Sequence, residues 1–518
     1  MWDESEVSIA DCRAEALIYE QKSTEPEQIM LCGGGKGAFS WIIEVRRLCR
    51  VMMKVAVVVG NRDFFPDHLC ISGRNQILTA LAEQGVEAIA LSPEDTVGGS
   101  TQTKSDVEKT INLLKANREQ IDGLIITLPN FGTEKAIVES IALSDLHVPI
   151  FVHAFDDDLE ALNVENRRDS FCGKISVCNN LRQYGLPFTL PTLHTDTADS
   201  DTFEADLSMF LQVCRVVASL KKARFGAIGA RPGAFNTVRF SEKLLQRAGI
   251  TIDTLDLSEV FGKAASLSDT DNTVEAKLQK LTTYMDCSGV PAGAQLKMAK
   301  FAAALDGFIQ ENNWDGIGVQ CWNSIQANYG ISPCAVMSML SETLCPAACE
   351  VDMTGLVAMY ALQQASGEPS ALVDWNNNYG KERDKCIFFH CGNYPRSIFS
   401  SAKVDHCNVL ARTLGKDNSY GGINGRIKSG PFTFARVSTD DVEGVIRAYV
   451  GEGQLTDDPL KTFGSRGVAQ IAGLQDLMRY ICRNGFEHHV AINLSQSARI
   501  LEEAFSNYLG WDVYIHRG

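Results

Sequence analysis

From residue 53 onward, apolar runs alternate with amphipathic stretches at a steady pitch. "KVAVVVG" reads as a buried strand, "ISGRNQILTALAEQG" as an amphipathic helix stopped by glycine, and "EAIAL" as the next strand. "SDVEKTINLLKANRE" (helix), "DGLIITLP" (strand), "EKAIVESIAL" (helix) and "PIFVHAF" (strand) continue the series. Strands and helices in this alternation predict a parallel sheet covered on both faces. A looser patch, "LPFTLPTLHTDTADSD", leads into a second unit with strands in "ARFGAIG", "TIDTLDL" and "DGIGVQCW" and a helix in "SEKLLQRAG". Next come "PAACE", a short strand, "MTGLVAMYALQQASG", a helix with a glycine stop, and "SALVDW", another strand. After about residue 395 short runs punctuated by turns, such as "GGINGRIKSGPFTFARVSTDD" and "GVIRAYVGEGQL", predict antiparallel hairpins in a small barrel or sandwich.

The predicted fold class is therefore α/β. Two parallel-sheet domains, 53–175 and 176–350, precede a C-terminal domain, 351–518, that is β-rich and barrel-like after about residue 395. Residues 1–52 lack strand alternation and are expected to be a leader, either disordered or lying ahead of a native start near Met52 or Met53. The "CGGGKG" within it has neither the GxxxxGK[ST] spacing of a phosphate loop nor a preceding strand.

A chain of 518 residues is too long for one core. Its 45% hydrophobic and 22% charged residues are those of an ordinary globular protein. A net charge of −16 disfavours nucleic acid and anionic membrane as partners, so any sugar or phosphate site must be local. No apolar run approaches the roughly 18 residues of a membrane span. The opening "MWDESEVSIADCRAEALIYEQ" has no basic or apolar signal region. The 16 cysteines fall at irregular spacings without a CxxC pair, which reads as reduced, buried thiols of a cytoplasmic protein and argues against a zinc ribbon.

The strand–helix–strand reading of "PAACEVDMTGLVAMYALQQASGEPSALVDW" closes each strand on a carboxylate, Glu350 and Asp374. A crossover that returns parallel would put the two on neighbouring strands about 4.8 Å apart, at the sheet end where open α/β folds bind ligands. Carboxylates that close repel unless a cation lies between them. A divalent metal relieves the repulsion and calls for a further protein ligand. Imidazole is available from His390, which closes "DKCIFFH", and from the pair His488–His489 in "NGFEHHVAIN". Two carboxylates with one or two imidazoles favour Mn²⁺, Fe²⁺, Co²⁺ or Zn²⁺ over calcium. The blander reading is that acids at strand ends cap helices and that lone histidines such as His153 and His194 are satisfied structural residues. "NNNYG" after Trp375 is either a solvated turn or a row of amide donors for hydroxyl groups.

The segments "DGLIITLPNFGTE", "IGARPGAFNTVRFSEKLLQRAGI", "ACEVDMTGLVAMYAL", "ALVDWNNNYG", "FFHCGNYP" and "EHHVAIN" resemble the L-fucose isomerase and L-arabinose isomerase superfamily, over nearly all of the chain from about Met53. The resemblance implies a metal-dependent aldose–ketose isomerase that converts an open-chain pentose or deoxyhexose through a cis-enediol. It implies Mn²⁺, or another divalent transition metal, on Glu350, Asp374 and His489, with His488 as the alternative register. His390 stands where the arabinose isomerases carry their first histidine, as a ligand or as a residue that orients one. Glu350 and Asp374 would double as the acid/base pair. Trp322 would offer the sugar an aromatic face, Asn376 and Arg426 would contact its hydroxyls, and Arg231 would contact it or fix a loop. The family also implies a homo-oligomer, hexameric or trimer-based, whose sites lie between subunits, with a neighbour reaching over through "LPNFG". A metal-free sugar sensor or an epimerase on the same scaffold is the alternative; metal content separates off the first and product identity the second.

Overall fold

The computed structural model describes residues 53–518, so "CGGGKG" and the rest of the expected leader lie outside the described residues. The chain first lays down β1 (Lys54–Gly60), β2 (Glu87–Ala90), β3 (Ser100–Thr101), β4 (Ile121–Leu128) and β5 (Ile150–Ala154). They pair in parallel in the order β2-β1-β4-β5, with the short β3 beside β1. The central β1 and β4 are apolar and buried along almost their whole length because helices cover both faces. The helix Lys104–Ala116 starts one residue ahead of the predicted stretch, on a capping box between Thr103 and Asp106.

A second, four-stranded parallel sheet follows: β6 (Arg224–Ile228), β7 (Thr251–Leu255), β8 (Gly316–Val319) and β9 (Ala347–Cys349), in the order β7-β6-β8-β9. The third sheet holds the rest: β10 (Ser370–Tyr379), β11 (Glu382–His390), β12 (Phe399–His406), β13 (Tyr420–Ile427), β14 (Gly430–Asp440), β15 (Val445–Thr456), β16 (Ser465–Gln470), β17 (His489–Asn493) and β18 (Asp512–His516). Because β16 pairs with both β11 and β15, the strands β16-β11-β10-β17-β14-β15 close into a ring. The barrel-like C-terminal region read from the turn-punctuated sequence is thus present.

One local prediction is corrected. Glu350 and Asp374 do not end neighbouring parallel strands. β9 pairs with β8 in the second sheet, whereas β10 runs antiparallel between β11 and β17 in the third. Two features explain the difference. Only Gly380 and Lys381 separate β10 from β11, a hairpin connection far too short for a parallel return. The intervening helix Met353–Ser366 is buried from Met353 through Ala365, and it packs against β14, β17 and the helix Asp201–Leu220 instead of covering one sheet. The helix carries the chain from one sheet to the other, and where the sheets abut the two acids face His489 from separate sides.

Candidate metal centre and active site

Glu350 follows β9 and is 4% exposed. Its backbone and that of Val351 both adopt left-handed conformations, with φ 56° at each. Such a conformation costs about 1–3 kcal/mol per non-glycine residue and is least suited to a β-branched one, so surrounding contacts must impose it. The side chain Oε1 accepts from Trp322 Nε1 at 2.8 Å and from the Cys321 thiol at 3.4 Å, both donors lying just past β8. Oε2 is buried and has no hydrogen-bond partner. It faces His390 Nε2 at 3.6 Å and His489 Nε2 at 3.8 Å, separations too long for hydrogen bonds.

Asp374 and His489 are direct partners across β10 and β17. His489 Nε2 lies 3.4 Å from Asp374 Oδ1, and His488 Nε2 lies 3.7 Å from the same oxygen. His489 is 1% exposed, and its Nδ1 donates to Asp352 Oδ2 at 2.8 Å, which leaves the Nε2 lone pair facing the two carboxylates. His390 is wired the other way. The Cys391 amide donates to His390 Nδ1 at 3.0 Å, so a neutral ring carries its proton on Nε2, toward Glu350.

Glu350, His390 and His489 form one group of mutually close ligand atoms, and Asp374, His488 and His489 form a second that shares His489. Donor atoms about 2.0–2.2 Å from one ion at angles of 90–120° lie about 2.8–3.8 Å apart, and His489 Nε2 stands within that span of both Glu350 and Asp374. The orphaned Glu350 oxygen, the outward-facing lone pair of His489 and the mixed oxygen–nitrogen donor set all fit a divalent transition ion.

Burial opposes charge on Glu350, but His390, His489 and the Trp322 N–H hold its carboxyl down at about 2. Burial also opposes charge on His390, yet the Cys391 side chain and the Asp374 and Glu350 carboxylates raise it well above an ordinary imidazole. Burial and the neighbouring His489 lower His488 despite the nearby acids.

Beneath the candidate ligands lies a group that sequence reading missed. Arg436 on β14 is fully buried and grips Asp352 through two N–H donors, at 2.6 and 3.0 Å. It also donates to Thr354 Oγ1 at 2.8 Å and to Glu487 Oε2 at 3.0 Å. Asp352 caps the helix Met353–Ser366 by accepting from the Gly355 amide. A Cβ at Gly355 would meet Asp352 Oδ2 at 2.6 Å and Arg436 Nη1 at 2.8 Å, so only glycine fits there. Burial opposes ionisation of Asp352, but Arg436 and His489 hold its carboxyl far below the usual range. The pattern Asp-x-x-Gly at the start of an apolar helix was the available signal for Asp352. Nothing in "TFARVST" marked Arg436.

The remaining expected residues divide. Trp322 is held against Glu350, and the ring of Phe235 stands nearly perpendicular to it at 5.2 Å. Phe235 also borders His488 at 5.6 Å, so it walls the cluster, a role the sequence reading did not assign. Asn376 is exposed at a bulge of β10, and its Oδ1 accepts from Asn377. Arg426 is committed to the carbonyls of Thr456 and Asp458, and Arg231 to Pro232 and Asn236 within its own loop. His153 is a satisfied core residue between Thr127 and the Asp196 carbonyl, and its burial lowers the ring to about 3.

Two family models match the chain: the N-terminal domain of fucose/sulfoquinovose isomerase over residues 56–221, and the C-terminal domain of L-fucose isomerase over residues 388–516. Glu350 and Asp374 fall between the matched segments; His390, Arg436 and His489 fall inside the second. The chain is 24% identical over 333 residues to a sulfoquinovose isomerase of Priestia aryabhattai, which covers 63% of this chain and 71% of that one. It is 26% identical over 332 residues to that of Alkalicoccus urumqiensis (62% and 71%), and 26% identical over 336 residues to that of Clostridium sp. strain MSTE9 (63% and 72%).

Proposed function

The chain belongs to the fucose isomerase-like family and is a sugar aldose–ketose isomerase, and on that premise we propose that it is a metal-dependent one whose centre is built on Glu350, Asp374 and His489. The observation that carries this reading is the buried, unpartnered Oε2 of Glu350 facing the free Nε2 of His489. Mn²⁺ is the ion we assign first. A divalent ion held there supplies the Lewis acidity that polarises a sugar carbonyl and acidifies the neighbouring C–H.

The chain's own groups do the rest. One of the two carboxylates takes the carbon-bound proton of the open-chain aldose, leaving a cis-enediol, and returns it to the adjacent carbon. The other passes the hydroxyl proton between the two oxygens. Asp374, the more open of the pair, exchanges protons with the mouth of the site, where His488 stands. His390, with Nε2–H toward Glu350 across 3.6 Å, acts on that carboxylate by charge and is not itself a ligand. Trp322 and Phe235 supply the apolar walls against which a sugar ring or chain lies.

The substrate is a pentose or a deoxyhexose, sulfoquinovose among the candidates because the relatives carry that name. The active form is a cytoplasmic homo-oligomer with sites between subunits. Exposed apolar side chains on the first α/β region support the oligomer: Leu159 and Val164, 81% and 86% exposed, and Phe171 and Ile175 one turn apart on the helix Ser170–Gln183. The free cysteines of the described residues support a reducing compartment.

The test is turnover. Protein stripped with chelator is incubated with L-fucose, D- and L-arabinose and sulfoquinovose, with and without Mn²⁺, and products are identified by NMR. Ketose that forms only with metal supports the reading. An epimer in place of ketose, or equal turnover without metal, overturns it.

A further inference from the structure

We propose that Arg436 is the positioning residue that sets the metal-ligand geometry, by joining the chain segment that carries Glu350 to the one that carries His489; the inference rests on the metal-centre reading above. Asp352 lies two residues beyond Glu350, and Glu487 lies two residues ahead of His489. The guanidinium binds both carboxylates, Asp352 through Nη1 and Nη2 and Glu487 through Nε. One rigid, planar cation thus spans segments that come from two different sheets.

Two consequences follow for the ligands. The first concerns Glu350. It and Val351 are held in left-handed backbone, which a valine leaves readily. The Arg436–Asp352 fork anchors the next residue and so fixes the direction in which Glu350 leaves β9. The second concerns His489. Asp352 Oδ2 takes both an Arg436 N–H and the His489 Nδ1–H. That carboxylate fixes the ring's tautomer and keeps Nε2 basic and aimed at the site. Arg436 holds that carboxylate in place through two N–H donors.

A purely structural role fits less well. Arg436 stands between the core residues Ala435 and Val437 and has no exposed surface. A buried ion pair is not in general more stabilising than apolar side chains of the same volume. What the guanidinium provides and an apolar side chain does not is a fixed distance and direction between the Asp352 and Glu487 segments.

The experiment compares Arg436→Lys, Arg436→Met and Asp352→Asn with the wild type, each stripped of metal. Mn²⁺ binding is read from the loss of the free-ion EPR signal. The His489 tautomer is read by ¹⁵N NMR of the metal-free, histidine-labelled protein, and folding by urea denaturation. We expect each folded variant to bind Mn²⁺ about 10–100-fold more weakly. Arg436→Met combined with Asp352→Asn should be little worse than either alone, because the two residues act as one unit. The Nδ1–H signal of His489 should shift or exchange in every variant. Variants that fold, keep that signal and bind Mn²⁺ within twofold of the wild type would overturn the proposal while leaving the metal centre intact. A wild type that binds no Mn²⁺ overturns the underlying reading and this inference with it. Asp352→Asn, the isosteric change, decides the matter if both Arg436 variants fail to fold.

Discussion

The first and second sheets of this protein are both parallel, and both end at their carboxyl edges in buried polar side chains, but the two edges differ in how those side chains are satisfied. Past β1 and β4, Asn61 and Asn130 are fully buried and fully engaged. Asn61 donates to Asp67, Asn130 donates to Asn61, and the Gly132 amide donates to Asn130. Past β8 and β9, Glu350 keeps one oxygen unpartnered among imidazoles, on strained backbone. The first edge is a closed amide network that holds a loop in shape. The second carries an unpartnered carboxylate oxygen and strain, the two features expected where a ligand completes the structure. The shared architecture of an open parallel sheet does not by itself distinguish them; the third sheet, which brings His489 and Asp374 to the second edge, does.

If that contrast is right, the largest effect comes from Glu350→Gln. It should remove Mn²⁺ uptake and lower kcat by roughly 10³-fold or more, measured on a metal-saturated wild type and the variant side by side. Asp352→Asn removes a charge that Arg436 needs. Breaking a fully buried pair should cost about 3–5 kcal/mol in urea unfolding, with Arg436 left to Glu487 alone. Gly355→Ala forces a methyl between the same two side chains and should act in the same direction with a smaller loss.

The pH dependence of the metal-free protein sharpens the comparison. Glu350 titrates at about 2 in the folded state, below the ordinary glutamate value of about 4.3. Its stabilising contribution is therefore present above that ordinary value and is lost as pH falls through about 2. Urea midpoints should decline between about pH 5 and pH 2, and the decline should be shallower in Glu350→Gln. Phe235→Ala is expected to raise KM about fivefold, close to the 1 kcal/mol an aromatic contact contributes, with metal affinity unchanged in an EPR titration. The smallest effects belong to Asn376→Ala and Arg426→Met, whose hydrogen bonds lie away from the cluster. Each should leave kcat/KM within about threefold of the wild type, a change of under 1 kcal/mol.

Much of this was legible in the sequence. "KVAVVVG" and "DGLIITLP" announce buried parallel strands because both their faces are apolar, and "EHHVAIN" announces a histidine at a strand mouth. Glu350, Asp374 and the histidines could be chosen by residue type and position alone. What the sequence hid was the path between them. "MTGLVAMYALQQASG" has the periodicity of any helix, and only its burial on every side shows that it bridges two sheets in place of covering one. Arg436 was hidden for a related reason. A lone arginine in an apolar strand is ordinary until the fold brings Asp352 and Glu487 to it from distant parts of the chain.

The central claim, that the metal centre lies where the second and third sheets meet, is tested most directly by an anomalous-scattering map of crystals grown with Mn²⁺. The account predicts a strong peak within about 2.0–2.2 Å of Glu350 Oε2 and His489 Nε2, beside Asp374, and no such peak in Glu350→Gln. A full-occupancy peak elsewhere in an active wild-type crystal, or an empty junction in protein shown to turn over, would contradict it.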